Sequence, residues 1–309
     1  MAGEVDAGVG TDVNAAAGTP TNAGTTAVGP HGGAAGYRAG RTLSLWVELV
    51  RQVRRRRTQV TLGFLAVLPF LLLIAFKVGN GGDNRESGQF VDLATLSGPN
   101  FVIFALFASA DFLLVVVVAL FFGDTVASEA SWSSLKYLLA IPVPRGRLVR
   151  QKAIVAGLLS LAGLIILPAV SLLVGVIWYG AGDLVSPTGE ALSFGIAVGR
   201  LALAVCYLAI NLFWVAGLAL LFGVSTDAPL GAVGGAVLVA IVCEILDSIT
   251  ALGGLRDYLP THYTMAWSDL LSADVDWGDM ARGALSALIY GAVFTALAVR
   301  RFSTKDITS

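Results

Sequence analysis

Six long apolar runs, almost free of charged residues, constrain this chain more than any other feature of its sequence. A helix needs about 17–25 apolar residues to cross the hydrocarbon core of a bilayer. The six runs cover residues 58–76, 101–123, 153–178, 201–224, 230–249 and 283–299. The sequence therefore predicts an all-α, polytopic membrane protein with six transmembrane helices, which we call spans one to six.

The composition leads to the same conclusion and excludes several kinds of site. Only 13% of the 309 residues are charged, against about 25% in a typical soluble domain, and the mean hydropathy is +0.79. A chain so poor in charge cannot cover a large water-facing surface, so lipid is part of its solvent. Cys206 and Cys243 lie inside apolar runs, and His31 is far from His262. We predict no disulfide framework, no metal site and no cofactor.

The first forty residues differ from the rest of the chain. They contain ten Gly and ten Ala, and they lack the basic start and the apolar core of a signal peptide. Such a composition buries too little apolar surface to offset the entropy cost of ordering the backbone. We predict a disordered cytoplasmic tail over 1–40 and a six-helix transmembrane domain over 41–309.

An amphipathic helix is predicted between this tail and the first span. Five apolar residues recur there at helical spacing, opposite a polar face. The apolar residues are Leu43, Trp46, Leu49, Val50 and Val53, and the polar residues are Glu48, Arg51, Gln52 and Arg54. The arginines at 54–57 favour the anionic cytoplasmic surface of a membrane. We expect this helix to lie in the headgroup region and to bind membrane lipid.

The distribution of basic residues predicts the orientation. If the amino terminus is cytoplasmic, 15 of the 20 Lys and Arg residues fall in cytoplasmic segments. This bias follows the positive-inside rule and requires an even number of spans. We therefore predict a multi-pass protein of the cytoplasmic cell membrane with both termini in the cytoplasm. Trp267 and Trp277, in the external segment before span six, are expected at the outer membrane interface.

Three carboxylates lie within the predicted spans: Asp111 in span two, and Glu244 and Asp247 in span five. An ionisable group inside the bilayer costs ~2.5–3.5 kcal/mol on insertion scales, so it usually faces protein or water. One interpretation is that the three residues line a substrate or ion pathway. The alternative is that they are neutral carboxyls bonded within the bundle, or that they lie close enough to the surface to reach water.

The segment between spans two and three is the most informative about function. It reads DTVASEASWSSLKYLLAIPVPRGRLVRQK from Asp124 to Lys152. Asp124 and Glu129 suit the start of a helix, and Pro142 and Pro144 would end it. Its apolar face would be formed by Trp132, Leu135, Leu138 and Leu139. This short helix at the inner membrane face is either a docking element for a soluble partner or a surface-lying connector.

A recognisable pattern is formed by Glu129, by LKYLLA at 135–140, by PVPR at 142–145 and by Lys152. It resembles the first cytoplasmic loop of type-2 ATP-binding-cassette (ABC) permeases. The sequence departs from that family's usual pattern at one point, where Ser-Ser at 133–134 replaces Gly-Thr.

The resemblance extends beyond this loop. The amphipathic helix before the first span and the total of six spans agree with the family. The external segment Leu-Pro-Thr at 259–261, followed by Trp267, agrees as well. The resemblance therefore covers about residues 41–303 and leaves out the tail.

The resemblance implies a membrane permease subunit that pairs as a dimer with a second copy or a paralogue and docks cytoplasmic ABC ATPase subunits. The first cytoplasmic loop would be the coupling helix that receives the motion of the ATPase. The corresponding ATPase-coupling residues are Glu129, Trp132, Leu135, Leu138 and Leu139. Most relatives export hydrophobic drugs, antibiotics, lipids or polysaccharides, so we expect an exporter without assigning a substrate.

The chain carries no loop of its own for ATP. A Walker A loop needs Gly-Lys followed by Ser or Thr, but the four lysines follow Phe, Leu, Gln and Thr. We therefore predict a non-catalytic subunit with a separate ATPase and no nucleic-acid partner. The alternative is a secondary transporter, or a membrane-anchored complex component, that uses the intramembrane carboxylates without an ATPase.

The predicted topology can be tested with reporter fusions that signal the cytoplasm or the outside. Fusions within 223–229 or after Ser309 should report the cytoplasm, and fusions within 80–98 or 262–275 should report the outside, because each crossing reverses the side. A cytoplasmic signal from a fusion within 262–275 would contradict both the six spans and their orientation.

Overall fold

The structure, a computed structural model, describes residues 44–79, 89–131, 145–186, 189–272 and 274–304. The tail predicted over 1–40 and the two loop prolines lie outside the described residues. The α-helices are α1 (Leu45–Val53), α2 (Arg56–Gly79), α3 (Gln89–Ala94), α4 (Gly98–Ala110), α5 (Leu113–Ser131), α6 (Arg145–Tyr179), α7 (Phe194–Asn211), α8 (Phe213–Ser225), α9 (Pro229–Asp247) and α10 (Trp277–Thr304).

Short elements connect the longer helices at two places. Strands β1 (Leu184–Val185) and β2 (Ala191–Leu192) pair antiparallel between α6 and α7. Two 3-10 helices, Thr250–Tyr258 and Thr264–Leu271, lie between α9 and α10. Almost all of the described backbone is thus helical.

Long apolar helices confirm the predicted fold class. Within the described residues, five helices are long and apolar enough to cross a membrane, or six if α4 and α5 together form one bent span. The spans are then α2, α4–α5, α6, α7–α8, α9 and α10. The protein is an all-α, multi-pass membrane protein.

Span two is bent, which the sequence did not predict. The continuous helix expected over 101–123 is interrupted at Asp111 and Phe112, and α4 and α5 meet there at 57°. An Asp side chain competes with the backbone for hydrogen bonds and is a poor residue for a helix interior. Span four also has a break, at Leu212, but there α7 and α8 continue as one span.

The helix predicted before the first span is present as α1. Of its nine residues, only Gln52 is buried. Its large apolar side chains are exposed, including Trp46 at 70%, Val47 and Val53. The apolar stripe is therefore available to the headgroup region, and its position there stays a prediction.

Helix α8 lies at the centre of the bundle. Nine of its residues are buried, and it packs against α5, α9 and α10. A Cβ atom on Gly217 would lie 2.6 Å from the carbonyl oxygen of Gly291 in α10, and one on Gly223 would lie 2.7 Å from that of Gly123 in α5. Backbones come this close only where side chains are absent, so glycine sets the spacing of three helices.

The small-residue face of α9 also packs inside the subunit. Ala232, Ala236 and Ala240 are buried, and a Cβ atom on Gly235 would lie 3.1 Å from the Phe222 ring of α8. Gly235 therefore serves the contact of α9 with α8 within one chain.

The end of the bundle opposite α1 is closed by the connecting elements. The Asn100 side chain donates to the Val185 carbonyl at 2.7 Å and accepts from its N–H at 2.9 Å, which fixes β1 against α4. Trp267 is fully buried, with its ring 4.6 Å from that of Phe107. The interfacial position expected for Trp267 is therefore wrong, because the 3-10 helix turns this ring into the bundle, whereas Trp277 is exposed.

The glycine contact between α8 and α10 predicts a difference between two Gly→Ala substitutions. Gly217→Ala should destabilise the protein by ~1–3 kcal/mol, because its methyl group meets backbone. Gly234→Ala in α9 is the matched control, since no atom lies within 4 Å of its added methyl group. Thermal unfolding midpoints in detergent would compare them. Equal midpoints would contradict the close approach of α8 and α10.

Candidate functional site

The candidate pathway begins at the bend in span two. Asp111 is exposed there, and the neighbouring Phe112 side chain is 59% exposed. Glu244 is also exposed, on the last turns of α9. Neither carboxylate has a hydrogen-bond or ion-pair partner among the described residues.

The packing of α5 on α9 brings these two carboxylates together. A Cβ atom on Gly123 would lie 3.2 Å from Val233, so the two helices touch there. Asp111 lies twelve residues before Gly123, and Glu244 lies eleven residues after Val233. Antiparallel helices carry both residues about 17 Å along the bundle from that contact. Asp111 and Glu244 therefore lie at a similar level of the bundle.

Asp247 has a different environment from the other two predicted pathway residues. It is partly buried, and its Oδ1 lies 2.6 Å from His262 Nδ1. His262 Nε2 lies 3.4 Å from Asp257 Oδ1, and Arg256 donates to the backbone carbonyl of Asp247 at 3.2 Å. Asp247 therefore ties the end of α9 to the following segment. The described residues contain no group of three His, Cys, Asp or Glu side chains that could hold a metal ion.

An ion cluster around the buried Asp124 side chain joins α2 to α5 at the α1 end of the bundle. The Asp124 side chain is only 7% exposed and forms an ion pair with Arg57. Arg55 is 3.7 Å from the same carboxylate and donates to Ser128 Oγ at 3.4 Å. The helix start predicted at Asp124 is wrong, because α5 continues to Ser131. The two arginines neutralise the charge of Asp124, so this carboxylate is stable in the middle of α5 and not only at the start of a helix.

A second ion cluster joins α1 to α6. Glu48 in α1 lies 3.4 Å from the ammonium group of Lys152, whose side chain is 3% exposed. Arg51 and Gln52 donate to Glu48 at 2.9 and 3.0 Å. Burial alone would raise the pKa of Glu48, but the charge of Lys152 and these hydrogen bonds lower that pKa below its usual value. Glu48 is therefore held ionised at neutral pH.

The predicted ATPase-coupling residues fall almost entirely outside the described part of the chain. Glu129 belongs to the last turns of α5, but its side chain is not described. The remaining four are Trp132, Leu135, Leu138 and Leu139, and they lie outside the described residues. The coupling helix stays a prediction.

Sequence analysis did not predict the two ion clusters. A signal was present, since Glu48 is the acidic residue of a polar face otherwise rich in arginine, and Lys152 directly precedes an apolar run. Glu48 and Lys152 are 104 residues apart in the sequence, so their pairing depends on how α1 packs against α6.

One comparison with known proteins identifies a family. The model of the family described as ABC-2 family transporter protein matches residues 44–226, more than half of the chain. The match includes α1, the first four spans and the segment between α5 and α6. No curated protein matches the sequence.

Water access at the bend provides a test that needs no substrate. In a background with Cys206→Ala and Cys243→Ala, Asp111→Cys should react with a water-soluble maleimide, because only a solvated thiol forms the reactive thiolate. Val67→Cys, on the exposed apolar surface of α2, should stay unlabelled, and Asp183→Cys in an exposed connection should react. An unreactive cysteine at 111 in folded protein would place this side chain in lipid or in a dry contact.

Proposed function

This chain belongs to the ABC-2 transporter family and is a membrane permease component of an ABC transporter, and we propose that it forms a dimeric export pathway driven by a separate cytoplasmic ATPase. The second subunit of the dimer is another copy or a paralogue. The protein lies in the cytoplasmic membrane with both termini in the cytoplasm, as the basic residues predict.

The observation that carries the proposal of a pathway is the exposed pair of carboxylates, Asp111 and Glu244. Both lie within spans, both are exposed, and the packing of α5 on α9 carries them to a similar level of the bundle. Contact with lipid would cost several kcal/mol for each ionised group. A second permease subunit that covers this face, with water between the two, removes that cost. The bend at Asp111 and the end of α9 then line the route of the substrate, and Asp247 lies at its edge.

Coupling to an ATPase is supported by where α5 ends and where α6 begins. The end of α5 and the start of α6 lie at the α1 end of the bundle, where the positive-inside rule places the cytoplasm. The sequence contains no Walker A loop, so energy must come from another protein. The apolar face of Trp132, Leu135, Leu138 and Leu139, with Glu129 before it, is the contact that we propose for the ATPase.

The carboxylate pair also favours a second candidate function. Two close carboxylates can exchange protons, so a proton-driven transporter or membrane-anchored component without an ATPase would use the same residues. ATP hydrolysis that purifies with the protein would support the permease of an ABC exporter. Its absence, together with uptake or efflux that follows an imposed pH gradient, would support the alternative.

The coupling contact can be tested by co-purification from native membranes. Trp132→Ala combined with Leu135→Ala should release the ATPase or uncouple its hydrolysis, since burial of each side chain contributes ~1.5–3 kcal/mol. Glu129→Ala should act more weakly, because a charge at an exposed helix end contributes ~0.3–1 kcal/mol. Bound ATPase and its hydrolysis rate are measured for each tagged, membrane-inserted variant.

Arg147→Gln is the matched control, since this arginine follows the predicted helix and should affect lipid anchoring instead. If the double alanine variant keeps both the bound ATPase and its hydrolysis rate, the segment is a passive connector. That result would remove the proposed docking role of the loop.

A further inference from the structure

Two ion clusters, each built around one buried side chain, lie on either side of the segment predicted to bind the ATPase. Asp124 lies in α5 shortly before that segment, and Lys152 lies in α6 shortly after it. Their partners, Arg57 and Glu48, both belong to the continuous stretch formed by α1 and the start of α2. One short stretch is therefore attached to both sides of the loop.

We propose that Glu48, Arg57, Asp124 and Lys152 are positioning residues that make α1 and the first span move together with the ends of the ATPase-binding loop. Motion imposed on the loop then reaches span one through ion pairs. This inference rests on the proposed function, because it needs an ATPase that moves the loop.

Polar contacts and one apolar contact, from the partly buried Leu49, attach α1 to the bundle. Gln52 is its one buried residue, while Leu45, Trp46 and Val47 are exposed. The charges that join it to α6 are well covered, with side-chain exposures of 3% for Lys152 and 14% for Glu48. Where water is largely excluded, an ion pair is stronger and is less screened by salt. The orientation of α1 on α6 thus depends on charge pairing as well as on the packing of Leu49.

The second attachment is the ion cluster that joins the start of α2 to α5. Arg55 and Arg57 flank the start of α2 and reach the same carboxylate, Asp124. Asp124 is only 7% exposed and would be an uncompensated buried charge if it lost both arginines, so sliding of α2 relative to α5 is costly even though Arg57 itself is 49% exposed. Displacement of the inner part of α5 is therefore passed to the start of span one.

A probe on the first span can report this motion without a known substrate. Val60 lies in α2 shortly after Arg57 and is 70% exposed. In the background without Cys206 and Cys243, Val60→Cys is labelled with an environment-sensitive fluorophore. The complex with its bound ATPase is kept in native membranes, and the fluorescence change on adding ATP is measured.

Loss of either ion pair should reduce the ATP response while the ATPase stays bound. We expect Lys152→Gln and Asp124→Asn each to lower the response by about tenfold, within the range measured for coupled contacting residues. Lys152→Arg should restore it, because a cavity of about 90 Å³ beside Glu48 leaves room for the guanidinium. Arg282→Gln, which breaks the exposed pair with Asp279, is the control and should leave the response unchanged.

A further variant distinguishes a role of the ion pairs in coupling from a role in folding alone. If Lys152→Gln fails to insert, Glu48→Gln combined with Lys152→Met removes both charges together and avoids a lone buried ion. This double variant should bind the ATPase and still lack the ATP response. An unchanged response in the double variant and in Asp124→Asn would overturn the proposal. An unsubstituted protein that carries no ATPase would instead remove the proposed function, and this inference with it.

Discussion

The cost of placing charge where water is scarce decides how this chain is arranged. Each ionisable side chain in or beside a span must find a partner of opposite charge, a hydrogen bond or a route to water. Asp124 finds two arginines, Glu48 finds Lys152, and Asp247 finds His262. Asp111 and Glu244 are different, because neither side chain has a hydrogen-bond or ion-pair partner among the described residues. The satisfied charges mark the contacts that fix the helices, and the unsatisfied pair marks the surface that we propose for the pathway.

Close contacts at glycine residues hold the centre of the bundle together. Lipid tails are as apolar as leucine, so burying apolar side chains gives helices little reason to associate inside a bilayer. Close backbone approach at Gly217 and Gly223 gives α8 extensive van der Waals contact with α10 and α5. The centre of the bundle is thus held by shape, and its α1 end is held by charge.

Much of the fold could be predicted from the sequence because span length is a local property. The apolar runs, the amphipathic helix before span one and the absence of a Walker A loop each depend on neighbouring residues. The bend at Asp111 could not be predicted, since an uninterrupted helix with one carboxylate has nearly the same pattern. The burial of Trp267 and the pair between Glu48 and Lys152 depend on contacts between distant parts of the chain. The sequence also named Asp111 and Glu244 separately, but only the packing of α5 on α9 placed them at a similar level of the bundle.

The contact between Gly217 and Gly291 has a consequence for biogenesis. Chains fold from the amino terminus during synthesis, and α10 is the last span to emerge. Until it inserts, the Gly217 face of α8 has no partner in the bundle and is open to lipid or to membrane chaperones. The segment 44–226, which carries the family match, therefore ends before the helix that completes its own centre. Ribosomes that stall between spans four and six would leave a membrane intermediate whose core is still open. Quality-control proteases could degrade that intermediate.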